Sequence, residues 1–127
     1  MGSLGAIGAV AVGGALGSLA RHGVNSAVAH IFGRPVPYAT AAVNLVGAAA
    51  IGVLAGLLAS GRLTMAPATR AFVFVGILGG FTTFSSFMLD TLTLAQTGQA
   101  SLAMSNVLAQ TAIGLIAVYA GYYLAVS

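Results

Sequence analysis

Apolar residues fill the chain in four long stretches, parted by Gly33-Arg34-Pro35-Val36-Pro37, by Gly61-Arg62-Leu63-Thr64-Met65-Ala66-Pro67 and by Thr97-Gly98-Gln99. A bilayer crossing takes about 20 helical residues, so the stretches predict four membrane helices, at about 4–32, 38–60, 66–96 and 100–125. Two prolines two positions apart end the first stretch, because neither can continue a helix from the preceding segment. Pro67 suits the start of the third helix, where its missing N–H would be unpaired anyway. There is no convincing internal repeat, and the loops are short. The expectation is therefore one four-helix domain spanning residues 1–127.

The third stretch carries its own interruption. Gly79-Gly80-Phe81-Thr82-Thr83-Phe84-Ser85-Ser86-Phe87 sits mid-span, and paired glycines followed by paired threonines make a poor helix interior. A break is expected near the middle of this helix. In lipid it would leave carbonyls and amides that need protein, water or an ion, and so would line a pore or a site. The competing reading is close packing by the glycines, with the hydroxyls bonded back to the preceding turn. Phe81, Phe84 and Phe87 recur every three residues, which in one helix places them along a single drifting face. Such a stripe is commonly core packing.

Polar residues inside the stretches are few. Arg21 follows Gly13 and Gly17 in the first helix, and is expected either to face protein or a watery vestibule, or to snorkel from the interface. Asn44 is the one amide in the second helix and must find a partner, on a neighbouring helix or at a substrate path. Asp90 is the only acidic side chain in the protein. Asn106 and Gln110 are stacked four apart on the fourth helix, as in a wet track or a helix-to-helix bond. Tyr119, Tyr122 and Tyr123 lie where an interfacial aromatic belt belongs.

Composition agrees with this plan. Of the 127 residues, 59% are hydrophobic and 4% charged, with a mean hydropathy of +1.06, which excludes an ordinary globular domain. The net charge of +3 rests on four arginines against one aspartate, too sparse for a nucleic-acid surface. No cysteine is present, so disulfides and thiolate metal sites are excluded. The first stretch has no basic leader or evident cleavage site and is read as a retained helix. Arg62 and Arg70 on one side nearly balance Arg34 on the other, leaving little positive-inside bias. Insertion in both orientations, and assembly as an antiparallel dimer, is the expectation. The pairs Gly13/Gly17, Gly52/Gly56 and Gly76/Gly80, each at GxxxG spacing, are expected to supply surfaces for it.

At Gly79 to Phe87 the sequence GGFTTFSSF resembles the signature of the Fluc/CrcB family of bacterial fluoride channels. Supporting marks are Gly13-Gly14-Ala15-Leu16-Gly17 leading to Arg21, and Thr40-Ala41-Ala42-Val43-Asn44-Leu45-Val46-Gly47. The resemblance covers all but the fourth helix well. It implies an all-α membrane protein, a dual-topology antiparallel homodimer in the bacterial inner membrane, with two fluoride pathways. It further implies a central sodium ion held by backbone carbonyls that look like those of Gly79 and Thr82. Phe84 and Phe87 resemble the phenylalanines that line the pores, with Asn44, Thr83 and Ser85 beside them, and Arg21 resembles a vestibule arginine. Asn106, Gln110 and Gly114 correspond to a fourth-helix polar track, usually richer in hydroxyls. Gly114 has no side chain to offer it. Ser86 stands where threonine is usual, and Asp90 where glutamate is common.

The function this implies is passive, non-enzymatic export of fluoride, protecting against its toxicity. The alternative is a proton-coupled transporter resembling the small multidrug resistance proteins. Those rely on a first-helix carboxylate, whereas here the first helix holds Arg21 and no carboxylate. A purely structural membrane subunit would not require the clustered glycine, hydroxyl and phenylalanine pattern.

Overall fold

The computed structural model describes residues 3–34 and 36–127; Pro35 of the expected first turn lies outside the described residues. All regular structure among them is helical. Among the described residues four helical segments are long and apolar enough to cross a membrane: Leu4–Phe32, Tyr38–Ala59, Pro67–Gln96 and Ala100–Val126. The first (α1, Leu4–Phe32) starts where the Ser3 hydroxyl accepts the Ala6 amide at 3.2 Å, and ends at Gly33, whose φ of 71° suits glycine. The second is α2 (Tyr38–Ala59).

The third span is composite. A first turn α3 (Pro67–Arg70) opens on Pro67, as a helix start tolerates. A π-helical segment Ala71–Leu78 comes next, then a short turn α4 (Gly79–Phe81). Thr82 (φ −87°, ψ 160°) and Thr83 (φ −154°, ψ 125°) are extended. Helix resumes as α5 (Phe84–Gln96), and the last span is α6 (Ala100–Val126). The extended pair takes Phe81 out of phase with α5. Only Phe84 and Phe87 share a helical face, so the expected three-phenylalanine stripe is corrected to two.

Packing is inside-out relative to a water-soluble bundle. Ala39, Val43, Ala103 and Ala125 are buried with Phe87, and Val43 is the largest fully buried side chain. Leu4, Leu19, Leu108, Ile116 and Leu124 stand outward, each at least 60% exposed on the protomer. In lipid there is no hydrophobic drive between helices, so close backbone approach takes its place. α1 packs chiefly on the π-helical segment and α4, and α2 chiefly on α6. A Cβ at Gly13 would stand 2.5 Å from the Phe72 carbonyl oxygen, and one at Gly56 2.5 Å from that of Tyr122. Gly76 and Gly80 meet Gly13 and Gly14 in the same α1 contact. The glycine pairs thus serve contacts inside the protomer, which corrects the expectation that they supply surfaces for a dimer.

Candidate functional site

Thr82 and Thr83 are held by side chains from three elements. In an unbroken helix the Thr83 amide would donate to the Gly79 carbonyl; here it donates to Asn44 Oδ1 of α2 at 2.8 Å. Asn44 Nδ2 returns a bond to the Thr83 carbonyl at 3.0 Å. The Ser86 amide, which would reach the Thr82 carbonyl, donates instead to Thr83 Oγ1 at 3.1 Å, an N-cap that starts α5. Arg21 Nε of α1 donates to the Gly80 carbonyl at 3.0 Å. The sequence left Arg21 at a vestibule, a protein contact or the interface; the structure gives it a backbone oxygen. Thr82 Oγ1 donates back to the Leu78 carbonyl at 2.9 Å, the back-bond expected of such hydroxyls. The Gly79 and Thr82 carbonyls lose their helical partners as a direct result of the amides turning elsewhere.

From Asn44 a line of amides runs along α6. Asn44 Nδ2 donates to Gln110 Oε1 at 2.8 Å, Gln110 Nε2 to Asn106 Oδ1 at 2.9 Å, and Asn106 Nδ2 to Thr91 Oγ1 at 3.3 Å. Gln110 is buried, 7% exposed, an unusual place for a polar side chain and one that requires partners. The line joins two cavities. One, about 330 Å³, is lined by Asn44, Thr82, Thr83, Phe84, Phe87 and Gln110, with Gly114 in its wall. The other, about 690 Å³, is lined by Asn106 and Gln110, with Arg34 and Asp90 in its wall.

The two phenylalanines meet edge to face, with ring centroids 6.1 Å apart and an interplanar angle of 89°. Phe87 is buried at 8% exposure, whereas Phe84 is 73% exposed on the protomer. Ser85 Oγ lies 3.3 Å from Thr83 Oγ1 but does not line the smaller cavity. At Gly114 an added Cβ would find its nearest neighbour, Leu45 Cδ2, at 3.9 Å, so the gap in the polar track is real space. Among the described residues no group of three or more His, Cys, Asp or Glu side chains could hold a metal ion.

Thr91 escaped sequence reasoning, since a threonine in an apolar helix gives no sign of its partner. The π-helical segment did too; no spacing in Ala71–Leu78 announces it. The link from Asn44 to Gln110 crosses 66 positions, and the stacking of Asn106 and Gln110 gave half of it.

Residues 8–122 match the model of a family described as CrcB-like protein, Camphor Resistance (CrcB). Similar relatives include proteins named fluoride-specific ion channel FluC. One from Opitutus terrae is 44% identical over 118 residues, covering 92% of this chain and 89% of the relative. One from Parabacteroides distasonis is 42% identical over 113 residues (89% and 87%), and one from Paracoccus denitrificans 47% over 113 residues (88% and 87%). A family match over nearly the whole chain, carried through all four spans and the amide line between them, makes this protein a member of the CrcB family.

Proposed function

We propose that the protein is a fluoride-selective channel that lets the ion leave the cytoplasm by passive diffusion across a bacterial inner membrane and so protects against fluoride toxicity. The observation that carries the reading is the line of amides from Asn106 through Gln110 to Asn44, ending beside Phe84 and Phe87 in a chain whose relatives are named fluoride channels. A small anion entering the membrane needs donors in place of its water, which amide hydrogens, the hydroxyls of Thr83 and Ser85, and the positive edges of phenylalanine rings provide. Arg21 adds positive charge beside the Gly80 carbonyl. No bond is made or broken in the ion.

The working unit in this proposal is an antiparallel homodimer of dual-topology protomers. Support comes from the balanced arginines and from Phe84, whose exposed ring would gain a cover. The extended pair acts as the functional break of the third helix. The Gly79 and Thr82 carbonyls, freed when Asn44 and Thr83 capture the amides that would have bonded them, suit a sodium ion, which prefers oxygen ligands. Bound there, the ion would neutralise carbonyl charge along the anion path. Fluoride efflux from liposomes carrying the purified protein, with and without an imposed proton gradient, tests the function. Equal efflux in both is expected; efflux that tracks the proton gradient would instead make the protein an exchanger.

A further inference from the structure

α2 and α6 run parallel and meet along a seam with one repeated spacing. Asn44 bonds Gln110, Gly52 lies against the Val118 carbonyl and Gly56 against that of Tyr122, each pair 66 positions apart. Contacts of these kinds recur after one helical turn. Were α6 shifted by four residues toward the end of α2, Asn44 would face Asn106, Gly52 would face Gly114 and Gly56 would face Val118. An amide would still meet an amide, and both glycines would still admit close backbone approach. A shift the other way brings Gly114 to Asn44 and leaves that amide without its partner. The seam by itself thus excludes one slip and accepts the other. Slack for the accepted slip lies in the third span. α6 is tied to α5 by the Thr97-Gly98-Gln99 turn and by the Asn106–Thr91 bond, so the two helices move together. The extended pair Thr82 and Thr83, on the near side of α5, spans about 3.6 Å more than two helical residues would.

One contact between α2's end and α6 does not repeat. Past α2, Gly61 turns the chain at a φ of 78° and the Leu63 amide reaches back to the Leu57 carbonyl at 3.2 Å, which fixes Arg62 between them. Arg62 Nη1 donates to the Ala125 carbonyl at 3.1 Å, and Nη2 donates to the Ser127 carbonyl. In the slipped register the same guanidinium would meet Gly121 and Tyr123 inside the helix, where the Tyr123 carbonyl already accepts the Ser127 amide at 3.2 Å. A rigid fork of donors on two carbonyls two residues apart has one matching position. We infer that Arg62 is a positioning residue that pins α6 in the register setting Gln110, and not Asn106, opposite Asn44. The pin depends on packing alone and not on what the protein conducts.

Two spin-label pairs read the register, placed on introduced cysteines in a chain that has none of its own. Val46 with Leu124, and Ala59 with Leu108, are exposed positions that span α2 and α6 in opposite senses. Pulsed electron resonance on labelled protein diluted with excess unlabelled protein gives distances within one protomer. Arg62→Met keeps an apolar stem and removes the donors. A second population should then appear, longer for Val46–Leu124 and shorter for Ala59–Leu108, each by up to about 6 Å, the rise of four helical residues. Asn106→Leu, added to Arg62→Met, takes away the amide that the slipped register needs and should restore the wild-type distances. Unchanged distances in Arg62→Met, or a second population that survives Asn106→Leu, would overturn the pin. So would a longer first distance with the second unmoved, since that is fraying at the end of α6. If Arg62→Met alone is not recovered folded, the double variant decides. Folded protein at wild-type distances upholds the pin, and loss of both variants overturns it.

Discussion

Phe84 and Phe87 stand next to one another yet have different surroundings, and this separates pore lining from packing. Phe87 is buried, so Phe87→Leu should lower stability by about 1 kcal/mol or more whatever its role in transport. Phe84 has little protomer packing to lose. A steep loss of flux in Phe84→Leu protein that elutes like the wild type on size exclusion is the expected result; wild-type flux there would confine the pair to packing. Gly114 gives the opposite kind of test. Its open space admits a side chain, so Gly114→Ser should fold normally and change the flux through the smaller cavity, read by the same efflux assay. At this scale the sequence revealed residue types and stacking, as with Asn106 and Gln110, but not pairings across helices. Asn44 and Thr83 are 39 positions apart, and only the packing of α2 against the third span brings them together.

The third span is governed by the exchange of helical bonds for side-chain bonds. Thr83→Val removes the hydroxyl that caps α5 and should destabilise the fold by about 1 kcal/mol, whereas Thr83→Ser keeps the oxygen and should be nearly silent; thermal unfolding in detergent compares them. A Cβ at Gly79 would meet only the Phe74 carbonyl, at 3.7 Å, which is ordinary contact. Gly79→Ala should therefore leave the protomer unstrained, and any weakening of sodium-dependent stability would report on the ion or the partner. Equal stability with and without sodium, in wild type and variant alike, would dismiss the carbonyl site. The four spans were legible because membrane helices must be long and apolar throughout. The π-helical segment was not, since its residues are as apolar as any α-helical span. The glycine pairs announced close packing correctly, but spacing alone did not tell that α1 and the third span, and α2 and α6, would take them up.

For the whole molecule, the proposed antiparallel dimer is argued from the weak charge bias and the exposed ring of Phe84. Lysines added to the loop between α2 and the third span should force one orientation and abolish activity, with rescue by a partner biased the other way; full activity from one forced orientation would dispose of the antiparallel arrangement. The function itself is tested most directly by measuring fluoride and chloride efflux from the same liposomes, loaded with potassium salts, before and after valinomycin. A passive anion channel should release fluoride quickly only once potassium can leave with it, and should retain chloride. Fluoride release that does not need the counter-ion path, or chloride release at the same rate, would contradict the account.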